Sequence, residues 1–305
     1  MNVVSIGECM LELDWGERST PWRFGGDTLN TAVYLARLGC DTTYVTALGS
    51  DAMSAWLAQS WETEGIRCIL RRVPGRLPGL YAVHTDADGE RHFHYWRSES
   101  AARSLLEPDD DDDEFLRNMA QALLDFDWVY VSLISLSVFG PSGSTLLLDM
   151  VQQARRHGTK LAFDSNYRAA GWASVSLARD TLCRWLPAVD TYLPSFADEC
   201  DLFHLSDPNA VHKRLGGLDC PEIVLKDGPR ACWVRTQTGQ MLEPHAPPRA
   251  THPTDTTGAG DAFNAGYLAA RGRGDAVPIA VAQGHRVALQ VIARRGAIVP
   301  RAAWQ

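Results

Sequence analysis

The chain has 305 residues, 45% of them hydrophobic and 22% charged, with a formal net charge of −8. That length and balance suit one large α/β domain or two smaller ones, and the acidic excess argues against a general nucleic-acid surface and for a small-molecule partner. Seven cysteines without C-x-x-C spacing read as small apolar core residues. With neither a signal-peptide pattern nor a membrane-length apolar run evident, a cytoplasmic location and no membrane partner are expected.

In chain order, residues 3–6 form a short apolar strand closed by Gly7, and residues 8–13 alternate in part. A single glycine follows that first strand, so the G-x-G-x-x-G fingerprint of a dinucleotide site is missing where it belongs. Phe24-Gly25-Gly26-Asp27-Thr28-Leu29-Asn30 comes next. Asp27 or Thr28 is placed to cap a helix whose apolar face is Leu29, Val33, Ala36 and Leu38, ending at Gly39. The paired glycines permit close backbone approach to a ligand, and a tight turn needs the same residues. Residues 42–48 read as a strand, and Ser50-Asp51 opens a helix running to Trp61.

Residues 80–85 and 91–96 are strand-like runs joined by Asp86-Ala87-Asp88-Gly89, a hairpin signal. With a period of two, Phe93, Tyr95 and Arg97 share one face, and Tyr81 and Val83 share a face of the partner strand. Two tyrosines and an arginine suit a polar anionic ligand, although an ordinary amphipathic hairpin has the same pattern. The acidic run at 109–114 reads as a solvated loop entering a helix at 115–124. Beyond it, strands at 128–131, 161–163, 191–193, 223–225 and 231–234 are interspersed with helices at 144–156 and 175–186. Such alternation predicts a mainly parallel sheet with helices on both faces.

Ligands gather at the carboxyl edge of a sheet of that kind. Asp164-Ser165-Asn166-Tyr167-Arg168, Ser195 with Asp198 and Glu199, and Lys226-Asp227-Gly228 are placed there. Arg168 at such an edge is a natural anion ligand. His92 and His94 have strand spacing without an evident third ligand and read as solvated.

The most informative stretch is Thr254-Asp255-Thr256-Thr257-Gly258-Ala259-Gly260-Asp261-Ala262-Phe263, which leads into helices predicted at 260–271 and 277–294. Gly258, Ala259 and Gly260 have little or no side chain, so their amides can converge on a phosphate at a helix N-terminus. Asp261 in the first turn would be a carboxylate beside a phosphate site. Two roles fit it: accepting a proton from an attacking hydroxyl, or complementing the helix dipole.

This decapeptide resembles the signature of the ribokinase (PfkB-type) sugar kinases, in which the final aspartate is the catalytic base. Further stretches look like the 2-keto-3-deoxygluconate kinases of that family: Ile6 to Met10, Phe24 to Asn30, Tyr44 to Gly49, Leu77 to Tyr81, Gly89-Glu90-Arg91, Tyr95-Trp96-Arg97, Asn166-Tyr167-Arg168 and Arg295 to Ile298. The resemblance runs nearly end to end. It implies an α/β ribokinase-like fold over 1–305: a twisted mainly parallel sheet with helices on both faces, plus a small β-lid from about 8–25 and 76–100. It further implies transfer of the ATP γ-phosphoryl group to the 6-hydroxyl of 2-keto-3-deoxy-D-gluconate with Mg²⁺, leaves a monovalent-cation requirement open, and makes a homodimer through the lid plausible. Carried over by position, Gly26, Asp27 and Asn30 would hold sugar hydroxyls. Tyr81, Tyr95, Arg97 and Arg168 would hold the carboxylate and keto end. Ser195, Lys226, Gly228 and the Gly258–Gly260 amides would contact ATP, with Asp261 as base. The superfamily's Asn-x-x-Glu aligns with Ser195-Phe196-Ala197-Asp198, both ends substituted, which leaves Asp198 and Glu199 as the Mg²⁺ candidates. A kinase of a neutral sugar such as fructose or ribose, and a non-catalytic sugar sensor, are the alternatives. The arginine pair speaks against the first and the intact Gly-Ala-Gly-Asp against the second.

Overall fold

The computed structural model describes residues 1–14, 22–85, 91–109, 113–236, 243–246 and 253–304. The expected turn at Asp86-Ala87-Asp88-Gly89 and the middle of the acidic run, Asp110 to Asp112, lie outside them. In chain order the elements begin β1 (Asn2–Ile6), β2 (Met10–Asp14), β3 (Arg23–Gly25), α1 (Asp27–Arg37), β4 (Asp41–Leu48), α2 (Ala52–Thr63), β5 (Arg67–Arg72), β6 (Gly79–Thr85) and β7 (Arg91–Trp96). There follow α3 (Glu114–Ala122), β8 (Trp128–Ser132), α4 (Leu133–Arg156), β9 (Lys160–Asp164), α5 (Val175–Trp185), β10 (Thr191–Leu193), α6 (Phe196–Phe203), α7 (Pro208–Gly216), β11 (Glu222–Leu225), β12 (Cys232–Arg235), β13 (Glu243–His245), α8 (Ala259–Gly272) and α9 (Val277–Ile292).

The large sheet has nine strands in the order β13-β12-β11-β10-β9-β8-β1-β4-β5. It is parallel from β11 to β5 and antiparallel at β11–β12 and β12–β13. Alternate residues on its strands serve two cores. Val131, Phe163 and Ile223 pack with Leu147, Leu182 and Leu202 on one face. Their neighbours Tyr130, Ala162 and Val224 pack with Phe263, Leu268 and Val287 on the other. A strand buried on both faces reads as a continuous apolar run, which is why these strands were legible in the sequence. Each large apolar side chain so buried contributes about 1.5–3 kcal/mol relative to an exposed one.

A second sheet of four strands, in the order β3-β2-β6-β7, is separate from the first. In it Tyr81 lies directly opposite Tyr95, and Val83 opposite Phe93. Tyr81 and Val83 are buried, while Phe93, Tyr95 and Trp96 are 39, 50 and 56% exposed.

Several local expectations are corrected. Neither Asp27 nor Thr28 caps α1: the cap is Gly26, with no side-chain bond, and Asp27 sits in the first turn. β5, β13, α6 and α7 are additional to the sequence reading. β5 carries arginines at 67, 71 and 72 on the edge of the large sheet, so its apolar signal is diluted. The helix expected at 144–156 starts earlier, at Leu133, and bends where Gly140 takes φ 69° ahead of Pro141. Taken across that bend, α4 is the one helix among the described residues long and apolar enough to cross a membrane, contrary to the sequence expectation. More than half of that apolar stretch is buried inside the protein, as befits a core helix.

Candidate active site

Two helix N-termini meet above the carboxyl edge of the large sheet. The first belongs to α1. A Cβ added at Gly26 would lie 2.2 Å from the Glu8 carbonyl oxygen, so glycine lets the entrance of α1 press onto the segment after β1. Asp27 then accepts a hydrogen bond from Asn166 Nδ2 at 3.1 Å, and Asn30 Nδ2 donates to Asp261 Oδ2 at 2.8 Å. Thr31 Oγ1 donates to the Asp261 carbonyl at 3.3 Å, tying α1 to the first turn of α8.

The entrance of α8 is shaped by its own loop. Asp255 accepts from the amide and hydroxyl of Thr257 at 3.0 and 2.7 Å and from the Gly296 amide at 2.7 Å. That pins the loop to the segment around Ala297. Gly258 is the cap of α8 at φ 74°, a left-handed conformation natural to glycine, and a Cβ there would lie 2.8 Å from the Ala297 Cβ. Its side of the backbone therefore faces protein. Gly260 differs: beyond its chain neighbours and its own turns of helix, nothing lies within 4 Å of where a Cβ would be. No side chain caps α8; the Ala259 amide donates to the Thr256 carbonyl at 3.2 Å, and the rest of the uncapped N-terminus is suited to an anion.

Below Asp261 is a buried polar network that sequence reasoning missed. Lys226 Nζ donates to Asp164 Oδ1 and to Asn264 Oδ1, both at 2.9 Å. Asn264 Nδ2 in turn donates to Asp164 Oδ2 at 2.9 Å and to the Tyr130 hydroxyl at 3.0 Å. Asn264 stands three residues after Asp261, on the same face of α8. That spacing was the available signal. Lys226, expected at ATP, thus has an internal ion pair.

Burial pushes the Asp261 carboxyl up to about 7, with the Asp27 and Asp164 carboxylates adding to the shift, while the Asn30 hydrogen bond and the Lys226 charge oppose it. Asp27 is also raised, first by burial and then by Asp164, with the Ser132 hydroxyl, the Thr28 amide and Arg97 opposing. The result is a cluster of carboxylates with Lys226 among them, in which one acid is poised to hold or release a proton near neutrality.

A second group forms at the ends of β9 and β10. Ser195 caps α6, accepting from the Asp198 amide at 3.1 Å, and is bridged to Lys226 through the backbone. Asp198 accepts from the Ser165 hydroxyl at 2.6 Å and faces Arg168 at 3.9 Å. Burial raises its carboxyl, and the Asp164 charge adds to that. Arg168 is 62% exposed and donates to the Tyr167 carbonyl at 2.7 Å. Gly228, at φ 53°, has open space around it.

Three residues are engaged differently from the sequence expectation. Glu199 is fully buried, accepting from the Tyr192 hydroxyl and from Arg214, both at 2.7 Å, so it offers no open position to a metal ion. Tyr81 donates its hydroxyl to Glu12, and Tyr95 alone of the tyrosine pair is exposed. Arg97 does not continue the exposed face of β7: it turns inward to an ion pair with Glu8. Among the described residues no cluster of three or more His, Cys, Asp or Glu could hold a metal ion by protein ligands alone. A magnesium ion bound mainly by phosphates and water needs one or two carboxylates, and Asp198 fits that role.

Comparison with known proteins gives a consistent picture. The pattern of the pfkB family carbohydrate kinases matches residues 2–304. A 2-dehydro-3-deoxygluconokinase of Dickeya dadantii (strain 3937) is 40% identical over 305 residues, covering 98% of this chain and 97% of that relative. The solved structure of a Thermotoga maritima 2-dehydro-3-deoxygluconokinase superposes with a TM-score of 0.82 at 21% identity, over 98% and 94% of the two chains. A ribokinase II-like protein of E. coli, solved with ATP and Mg²⁺, gives 0.80 at 19% identity, over 97% and 94%.

Proposed function

The chain belongs to the pfkB family of carbohydrate kinases, with the ribokinase-like fold, and from that premise we propose that it phosphorylates the 6-hydroxyl of 2-keto-3-deoxy-D-gluconate using ATP. The observation that carries the chemistry is Asp261: a buried carboxyl at the start of α8, oriented by Asn30 and raised to about 7. A general base is most useful with a pKa near the working pH.

In the proposed reaction the sugar oxygen attacks the γ-phosphorus, the bond to the β-phosphate oxygen breaks, and Asp261 takes the hydroxyl proton. Phosphoryl transfer depends on positioning and charge stabilisation more than on covalent help. Asp27 and Asn30 orient the sugar hydroxyls, with Gly26 allowing the close approach. The amides of Gly258, Ala259 and Gly260 receive the phosphates, and Ser195, Lys226 and Gly228 border the nucleotide. Asp198 would hold Mg²⁺ through water, and the ion would neutralise charge on the phosphates. Tyr95, Arg97 and Arg168 take the keto-acid end, with Tyr81 setting the position of Tyr95.

The four-stranded sheet acts as the lid over this site, within a single domain. Its exposed Phe93 and Trp96 suit pairing with a second copy. Seven free thiols fit a reducing cytoplasm. A neutral hexose is the competing substrate, favoured by one observation: both arginines already face carboxylates. A coupled kinase assay over keto-acid and neutral sugars tests the reading. Asp261→Asn should lower kcat by on the order of 10²–10⁴ in a folded protein. A normal kcat in that variant would remove Asp261 as base.

A further inference from the structure

Glu8 directly follows the turn after β1, its side chain only 1% exposed, in an ion pair with Arg97. Its carboxylate meets the Arg97 guanidinium and the Ser100 hydroxyl, in neither case with well-aligned hydrogen-bond geometry. It is also walled in. A Cβ at Gly79 would lie 2.9 Å from Glu8 Oε1 and 3.3 Å from the Arg97 Cβ, while the α1 entrance presses on the Glu8 backbone. Arg168 is different, being 62% exposed at 3.9 Å from Asp198 and free to leave it. Glu8 has no such freedom.

We propose that Glu8 holds Arg97 in place for the acid sugar and takes up a proton from solvent when the sugar's carboxylate reaches Arg97. This rests on the reading that Arg97 meets that carboxylate. The free pair is electrically neutral, so an arriving anion makes two carboxylates share one guanidinium. Like charges at one site disfavour ionisation, and an acid that cannot move to water relieves the conflict by protonation. The other charged or titratable groups facing Glu8 are Arg103 in the turn Ala101–Ser104, Tyr44 of β4 and the adjacent Cys9. Tyr44 and Cys9 stay neutral, because burial pushes both well up. Burial already raises Glu8 from the ordinary carboxylate range, with Arg97, the Ser100 hydroxyl and Arg103 opposing, so a second anion moves it further in the same direction. Glu8 is thereby a positioning residue whose protonation state gates capture of an anionic substrate.

The test is calorimetric titration of 2-keto-3-deoxygluconate into the nucleotide-free protein at pH 7 and 8, in buffers of different ionisation enthalpy. Wild type should take up a proton fraction approaching one per site, with Kd rising up to about tenfold per pH unit over the coupled range. Fructose should bring no proton. Glu8→Gln should abolish the uptake and flatten the pH dependence of Kd, Glu8→Asp should restore part of it, and Asp261→Asn should leave it intact. Infrared difference spectra of the wild type, requiring no variant, should gain a protonated-carboxyl band on binding. Absence of proton uptake in wild type, or its persistence in Glu8→Gln, overturns the proposal. Arg97→Ala separates the two readings: unchanged sugar affinity sinks the acid-sugar assignment itself, whereas weakened affinity with no uptake in wild type sinks only the role of Glu8.

Discussion

Asn30 and Asp261 stand 231 positions apart in the chain, yet a 2.8 Å hydrogen bond joins them at the meeting point of α1 and α8. The bond favours the ionised carboxylate, against the burial and neighbouring charges that favour the acid. The pKa of Asp261 is set by the balance of these influences, and the pH dependence of the enzyme should expose it.

With Asp261 near 7, kcat at saturating sugar should fall as pH drops through about 7 and level off above it, since the base must be ionised. Asn30→Ala removes the opposing hydrogen bond, so the acid limb should move to higher pH. A pH–rate profile of both proteins checks this, and an unmoved limb in Asn30→Ala contradicts the pairing.

The same shift has a consequence for stability. Asp261 is raised from 3.8 to about 7, so between those values the folded state binds more protons than the unfolded one. Its contribution therefore weakens stability progressively as pH rises from about 4 to about 7. Asp261→Asn should be more stable than wild type at pH 8 and show little difference near pH 4. Denaturant midpoints at the two pH values provide the measurement, and a variant less stable at pH 8 would contradict the sign.

Gly258 and Gly260 should separate. Gly258→Ala must place a Cβ 2.8 Å from Ala297 on a left-handed backbone, costing about 1–2 kcal/mol for the conformation alone. The thermal midpoint should drop. Gly260→Ala meets only open space, so its midpoint should hold while KM for ATP rises if phosphate approaches there. Unchanged ATP kinetics in Gly260→Ala would move the phosphate site elsewhere.

The arginines are expected to set substrate class. Losing a charge-assisted hydrogen bond costs about 1.5–3 kcal/mol, roughly 10- to 150-fold in affinity. Arg97→Ala and Arg168→Ala should raise KM for the keto-acid by that order and leave KM for ATP nearly unchanged. Specificity is a difference of affinities. The kcat/KM ratio of 2-keto-3-deoxygluconate over fructose should accordingly shrink in both variants. A constant ratio would place the carboxylate elsewhere.

The sequence by itself determined what is local. Apolar runs such as 128–131 and 161–163 specified central strands because both of their faces are buried, and Gly258-Ala259-Gly260-Asp261 specified a helix entrance because the left-handed cap at Gly258 favours glycine. It missed β5 and β13 at the two ends of the sheet, where a strand has a neighbour on one side alone and needs no continuous apolar pattern. Only the tertiary structure decided which charges meet. Lys226 faces Asp164 and Asn264, Arg97 faces Glu8, and Glu199 turns to Arg214. Nothing in a residue's own neighbourhood encodes such a partner. A buried charge is held by whichever opposite charge or dipole the fold brings beside it, and that choice is made by the packing of α1, α8 and the sheet as a whole.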